Sequence, residues 1–126
     1  MTVGKGWVRS VGVPFRSINT LRSWLDEFAG LGYPTAEAAR VIVQDGAEDA
    51  DTGLVVFQFV NSPTLAYLQP EPPALEWVIT IEGREGSIPM RPSTAMNVAY
   101  EYSVVSALGT FLEAKSRMWM AEHEED

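Results

Sequence analysis

An acidic loop is the segment of the sequence that comes closest to a metal site. Its carboxylates belong to Asp45, Glu48, Asp49 and Asp51. A calcium-binding EF-hand needs oxygen ligands at alternating positions, a glycine at the sixth position and a glutamate at the twelfth, because the ion is wrapped by six or more oxygens. Here Gly46 directly follows the first acid, and no glutamate stands at the required position. The sequence therefore predicts a solvated loop and no metal site.

Histidine and cysteine chemistry is almost absent from the chain. His123 is the only histidine and lies in the charged segment EHEED, and there is no cysteine. The chain therefore has no thiol nucleophile, no disulfide and no cysteine-ligated zinc. A catalytic triad or a multi-histidine metal site would have to use His123, which we expect to be mobile and solvated. We predict no catalytic residue.

Two further patterns could serve phosphate or acid–base chemistry, and both fail on spacing. The glycines of VGKG and GREGS do not give the GxxxxGK[ST] or GxGxxG pattern that nucleotide binding requires between a strand and a helix. Glu76 and Glu82 share one face of a predicted strand, but their backbones are about 20 Å apart, which is too far for one active site. We therefore predict no cofactor.

The stretch from Ser93 to Ala121 is predicted to form one long helix, because it contains no proline and only one glycine, Gly109. At 100° per residue its apolar side chains cover an arc of about 200°, whereas an ordinary surface helix has a stripe of roughly 100°. Such a helix needs cover on two sides. We expect a sheet to cover one part and to leave the part near Leu112, Trp119 and Met120 for a partner.

Two charged residues, Glu101 and Lys115, fall inside this apolar arc. About 21 Å of helix axis separates them, so they cannot pair within one helix. An antiparallel partner helix could bring Glu101 of one chain to Lys115 of another, as symmetric contacts do. Alternatively, Glu101 lies at a frayed margin, pairs with Arg84 or Arg91, or joins Arg91 and Tyr100 in a ligand pocket between the sheet and the helices.

The N-terminal part of the chain is predicted to contain a strand and a helix. Residues 7–13 alternate weakly, with Gly6 directly before them and Gly12 within them, which favours an edge strand or an arm. Ser17 can cap an amphipathic helix from Ile18 to about Leu31. Gly30 and Gly32 are possible left-handed caps at its end.

The middle of the chain is predicted to form strands. Residues 35–44 are ambiguous, and we expect a turn followed by a strand from about Ala39 to Gln44. Leu54 to Val60 is the next strand, joined to the previous one as an antiparallel hairpin across the acidic loop. Residues 64–68 are a possible short strand.

The region before the long helix completes the predicted sheet. QPEPPA, residues 69–74, is expected to be an extended surface linker because it contains three prolines. Leu75 to Glu82 alternates with a period of two, as strands of a sheet with one wet face do. The chain then turns back through residues 87–90. We predict an α+β two-layer sandwich, in which an antiparallel sheet of four to five strands is packed by the two helices.

Chain length, net charge and composition limit the kinds of protein that this chain can be. The chain has 126 residues, enough for a single domain spanning residues 1–126 with its own core, and we expect flexible ends at residues 1–6 and 122–126. A net charge of -8 disfavours nucleic acid and anionic membranes as partners. No signal peptide or membrane span is expected, so we predict a soluble, cytoplasmic protein.

The function that these observations favour is protein interaction. We predict a non-catalytic interaction or assembly protein, homodimeric through its long C-terminal helix, with a possible protein client. In composition and order of elements it resembles the dimeric chaperones that escort secreted effectors, and some phage assembly adaptors. The alternative is a small-molecule-binding or enzymatic domain built around Arg91, Tyr100 and Glu101. The predicted partner-binding residues are Glu101, Tyr102, Leu108, Leu112, Lys115, Trp119 and Met120.

Overall fold

In the described part of the chain, two helices pack on one antiparallel sheet. The computed structural model describes residues 17–43, 53–71, 76–82 and 86–123. The elements in chain order are α1 (Ile18–Ala29), a 3-10 turn (Ala36–Ala38), β1 (Ala39–Val43), β2 (Gly53–Gln58), β3 (Leu65–Glu71), β4 (Glu76–Ile81) and α2 (Pro92–His123). The strands follow the order β1-β2-β3-β4, and both helices contribute to the same core. The predicted α+β sandwich is confirmed.

Helix α1 begins as its sequence predicts. The Ser17 side chain accepts a hydrogen bond from the backbone N–H of Thr20 at 3.0 Å, which satisfies one of the free donors in the first turn. One face of the helix is buried through Leu21, Trp24 and Phe28. This spacing of three and four residues places the three side chains over the sheet.

The end of α1 differs from the prediction. The helix stops at Ala29, so Leu31 lies beyond it and is 59% exposed instead of joining the apolar face. Gly30 keeps a right-handed conformation, and only Gly32 adopts a positive φ, of 96°. Tyr33 then stacks on Phe28 with ring centroids 4.9 Å apart. The chain therefore turns back toward the core directly after the helix.

The register of the sheet aligns its apolar residues into rows. Val41 pairs with Val55, Val55 with Leu68, and Leu68 with Ile79. All four belong to or pack against the core beneath the helices. Because side chains alternate between the two faces of a sheet, this register fixes which alternate residues of each strand face the helices. The predicted β1–β2 hairpin is confirmed.

The prediction for the proline-rich segment was wrong at its start. Residues 69–71 continue β3, and Pro70 pairs with Trp77 of β4. Proline lacks an N–H donor and is tolerated only where the ladder does not need one. The β2–β3 pairing ends at Leu68, and the Trp77 N–H is donated to Glu113 of α2. An extended conformation was predicted correctly, but participation in the sheet was not.

The predicted turn back into the sheet after β4 does not occur. Residues 87–90 have no strand structure, and Ile88 and Met90 are 40% and 39% exposed. Pro89 lies in this segment and removes a donor that strand pairing would use. Residues 7–13 and the acidic loop lie outside the described residues.

Candidate functional site

The wide apolar arc of α2 is covered from two sides within the chain. Its centre is fully buried, with Val104, Leu108 and Leu112 each 0% exposed. On one flank the Phe111 ring lies against Phe28 of α1, with centroids 5.4 Å apart. On the other flank Gly109 meets the sheet. The expectation that the region around Leu112 lacks intramolecular cover was wrong, because α1 packs beside the helix as well as the sheet beneath it.

Glu101 is a buried carboxylate held by backbone donors. It is 1% exposed, and its oxygens accept hydrogen bonds from the N–H groups of Val60 at 2.7 Å and Asn61 at 3.0 Å. These donors lie in the turn between β2 and β3. A buried acid needs such partners to offset its loss of hydration. Glu101 therefore anchors α2 to the end of the sheet, and in this conformation it is not available to a second chain.

Lys115 also has its partner within the chain. Its Nζ lies 2.9 Å from the Glu27 carboxylate of α1, and it lies 5.9 Å from the centroid of the Phe111 ring. The lysine side chain is 21% exposed and that of Glu27 is 52% exposed. Pairs of this exposure contribute little to stability, and this one links α1 to α2. The predicted pairing of Lys115 with Glu101 of another chain is replaced by two intramolecular contacts.

A second polar anchor, which was not predicted from the sequence, lies at the other end of the sheet. The Trp77 N–H donates to the Glu113 carboxylate at 2.9 Å, and the Trp77 indole N–H donates to the buried Ser116 hydroxyl at 2.9 Å. Glu113 and Ser116 are three residues apart and so share one side of α2. The signal in the sequence was Ser116 itself, a polar residue inside the apolar arc of the helix.

The other predicted partner-binding residues differ widely in exposure. Leu108 and Leu112 are core residues, while Trp119 and Met120 are half-buried and Trp119 packs against the core. Tyr102 is 44% exposed and meets Phe59 edge-on, with centroids 4.9 Å apart. Among the predicted set, Tyr102 thus offers the largest accessible aromatic surface.

The residues of the alternative ligand pocket face different surroundings. Arg91 and Tyr100 are exposed, whereas Glu101 is buried and its oxygens already accept two backbone hydrogen bonds. Successive residues of a helix point about 100° apart, which separates Tyr100 from Glu101. A ligand that bound Glu101 would have to break its bonds to the β2–β3 turn.

The described part of the chain contains neither a cluster of metal-ligating residues nor a helix that could span a membrane. Within it, no group of three or more histidine, cysteine or acidic residues is arranged to hold a metal ion. None of its helices combines the length and apolar character that a membrane span requires. The acidic loop and the side chain of His123 lie outside the described residues.

The side of α2 that points away from the core is unusually free of charge. We call this surface the outer face; it comprises Met96, Ala99, Tyr100, Ser103, Ser106, Thr110, Ala114 and Met118. Met96 is 70% exposed, Met118 53% and Tyr100 48%. From Ser93 to Ser116, no exposed residue of α2 is charged; the first exposed charge after this stretch is Arg117, directly before Met118. A solvated helix normally carries its charges on this side.

Comparisons of the chain with protein-family models, with curated proteins and with solved structures found no match.

Proposed function

We propose that this chain is a non-catalytic interaction protein that assembles as a homodimer through the outer face of α2. The observation that carries the proposal is the absence of exposed charge along this face between Ser93 and Ser116. Protein interfaces are depleted of charged residues at their centre and enriched in methionine and tyrosine. Met96, Tyr100 and Met118 supply those residue types.

The lack of charge on the outer face permits a second copy of the chain as its partner. In a symmetric dimer the same patch occurs on both sides, so any charge in its centre meets a charge of the same sign. The whole chain carries a net charge of -8, so two copies repel each other at a distance. An uncharged contact surface is where that repulsion is weakest.

The residue sizes along the outer face also suit a helix–helix contact. Its middle turns carry Ser103, Ser106 and Thr110, whose small side chains allow two helix axes to approach closely. Methionines lie toward both ends, and their flexible side chains adapt to a neighbouring surface. The contact therefore has a small centre and adaptable apolar ends.

The test is sedimentation velocity over about 1–100 µM protein, the range in which weak dimers form and dissociate. We expect the wild type to move from monomer to dimer with concentration. Ala114→Glu, on the outer face, should remain a monomer and keep the circular dichroism spectrum of the wild type. Ser23→Glu is the matched control, because it adds the same charge at an exposed helical position of α1.

Two results would contradict the proposal. One is a wild type that remains monomeric at the highest concentration, and the other is an Ala114→Glu variant that dimerises as well as the control. Leu112→Asp is not a suitable test, since Leu112 is fully buried and its loss would unfold the chain. Binding of a protein client and a cytoplasmic location remain predictions.

A further inference from the structure

We infer that the two α2 helices of the homodimer run antiparallel and cross beside Ala107. This inference rests on the proposed function and adds the geometry of the contact. Ala107 lies eleven residues from both Met96 and Met118, and seven residues from both Tyr100 and Ala114. When two antiparallel helices cross at one residue, a position a given number of residues before it in one copy faces the position the same number of residues after it in the other copy.

Side-chain size favours the antiparallel direction. It places Tyr100 of each copy opposite Ala114 of the other, so a large exposed side chain meets a small exposed one. A parallel pair would place Tyr100 against Tyr100 and Ala114 against Ala114, which crowds one level of the contact and leaves a gap at another. Helix pairs pack best when large side chains fill the space left by small ones.

The charges at the helix ends favour the same direction. Arg91 is exposed directly before α2 and Glu122 is exposed in its last turn, while the exposed Arg117 would face the uncharged Asn97 of the other copy. In an antiparallel pair the Glu122 end of each copy lies near the Arg91 end of the other, whereas a parallel pair places like charges together. The helix dipoles add to this preference, because their opposite ends then become neighbours.

The crossing point itself is suited to close approach. Ala107 is half-buried, and Ser103 and Thr110 on neighbouring turns are exposed. Their small side chains keep the two helix axes near the lower end of the usual packing distance, about 8–10 Å. The larger Met96 and Met118 lie about 16 Å from the crossing, where two inclined helices have begun to diverge.

Single cysteines test the direction cleanly, because the chain has no native cysteine. Met96→Cys and Met118→Cys place thiols at exposed positions, at opposite ends of the outer face. One variant is labelled with nitrogen-15, the two are mixed at a concentration where wild type is dimeric, and a short bismaleimide is added. Mass spectrometry then distinguishes mixed from self cross-links. Ser23→Cys on α1 measures the background.

The expected result is a mixed Met96→Cys to Met118→Cys cross-link at least tenfold above either self cross-link. If the wild type dimerises but each cysteine variant cross-links mainly to itself, the antiparallel direction is overturned and the proposed function stays intact. Dimerisation with neither kind of cross-link above background would overturn both the direction and the outer face. A wild type that is monomeric by sedimentation would overturn the proposed function and, with it, this geometry.

Discussion

At the scale of single residues, the buried carboxylate of Glu101 links the two layers of the fold. It lies on α2, while its two donors, Val60 and Asn61, lie in the turn between β2 and β3. Each backbone N–H at a strand end needs a partner when it is removed from water. Glu101 therefore satisfies the turn and fixes how far along the sheet the helix lies.

Replacing Glu101 with glutamine tests this anchor. Glutamine keeps the size of the side chain, but its NH2 group takes the place of one accepting oxygen. That group then faces a backbone N–H of the turn, and two donors cannot form a hydrogen bond. We expect the free energy of unfolding to fall by about 2 kcal/mol, within the usual range for a hydrogen bond to a charged group. Urea unfolding at fixed protein concentration measures the change. Glu122→Gln, at an exposed position of the same helix, should change stability by less than about 0.5 kcal/mol.

Equal unfolding midpoints for Glu101→Gln and Glu122→Gln would show that the carboxylate contributes nothing beyond its volume. In that case the anchoring of the β2–β3 turn would have to come from the ring contact between Phe59 and Tyr102.

The hydrogen bond between Trp77 and Ser116 gives a second prediction at this scale. Ser116→Ala removes a buried acceptor of the indole N–H, and we expect it to destabilise the protein by about 1–2 kcal/mol. The near-ultraviolet circular dichroism of the tryptophans should change with it. Ser23→Ala on the exposed face of α1 is the control, and it should be neutral or slightly stabilising because alanine is the better helix former. A neutral Ser116→Ala would contradict the assignment.

At the scale of elements, α2 occupies the angle between α1 and the sheet. Gly109 lies close to the sheet, since a Cβ built there would lie 3.3 Å from Cδ1 of Ile79. Glycine lowers the stability of a helix interior, so its presence here is explained by the narrow gap between the helix and Ile79, which leaves little room for a Cβ. The wide apolar arc of α2 is thus accounted for by two neighbours within one chain.

Substitution of Gly109 separates helix propensity from space. Gly109→Ala should be close to neutral, because a helix gain of about 1 kcal/mol opposes a tight contact with the end of a flexible side chain. Ile79→Val removes the Cδ1 atom that a Cβ at position 109 would crowd. The double variant Gly109→Ala, Ile79→Val should therefore be more stable than the sum of the two single changes in unfolding free energy predicts. Gly109→Val should be destabilising, because its branches meet the sheet. Strict additivity in denaturant unfolding would contradict the proposed contact.

At the scale of the whole molecule, assembly and stability are coupled. A dimer that forms only from folded chains makes the unfolding temperature depend on protein concentration. In the proposed arrangement each chain keeps its own core, since the buried residues of α2 face α1 and the sheet. The monomer should therefore be folded, and association should add to a stability that already exists.

This coupling gives a prediction for thermal unfolding. The midpoint of the wild type and of Ser23→Glu should rise between about 1 and 100 µM protein, because mass action favours the associated folded state. The midpoint of Ala114→Glu should be independent of concentration. Differential scanning calorimetry at several concentrations measures both. A concentration-independent midpoint in the wild type would contradict association of the folded chains in this range.

Much of the fold follows from local rules that the sequence contains. The Ser17 cap, the apolar face through Leu21, Trp24 and Phe28, and the proline-free stretch of α2 each specify an element within its own residues. Period-two alternation specified β4, and the loop between two apolar runs specified the β1–β2 hairpin. These features depend on neighbours in sequence, so pattern and propensity were sufficient to predict them.

Contacts between distant residues were decided only by the tertiary structure. The sequence showed that α2 has more apolar surface than one neighbour can cover, but the positions of α1 and the sheet decided that both neighbours belong to the same chain. The partners of Glu101 and Lys115 lie far away in sequence, and no periodicity relates them. The outer face appeared only after the buried side was known, because exposure is a property of the packed molecule.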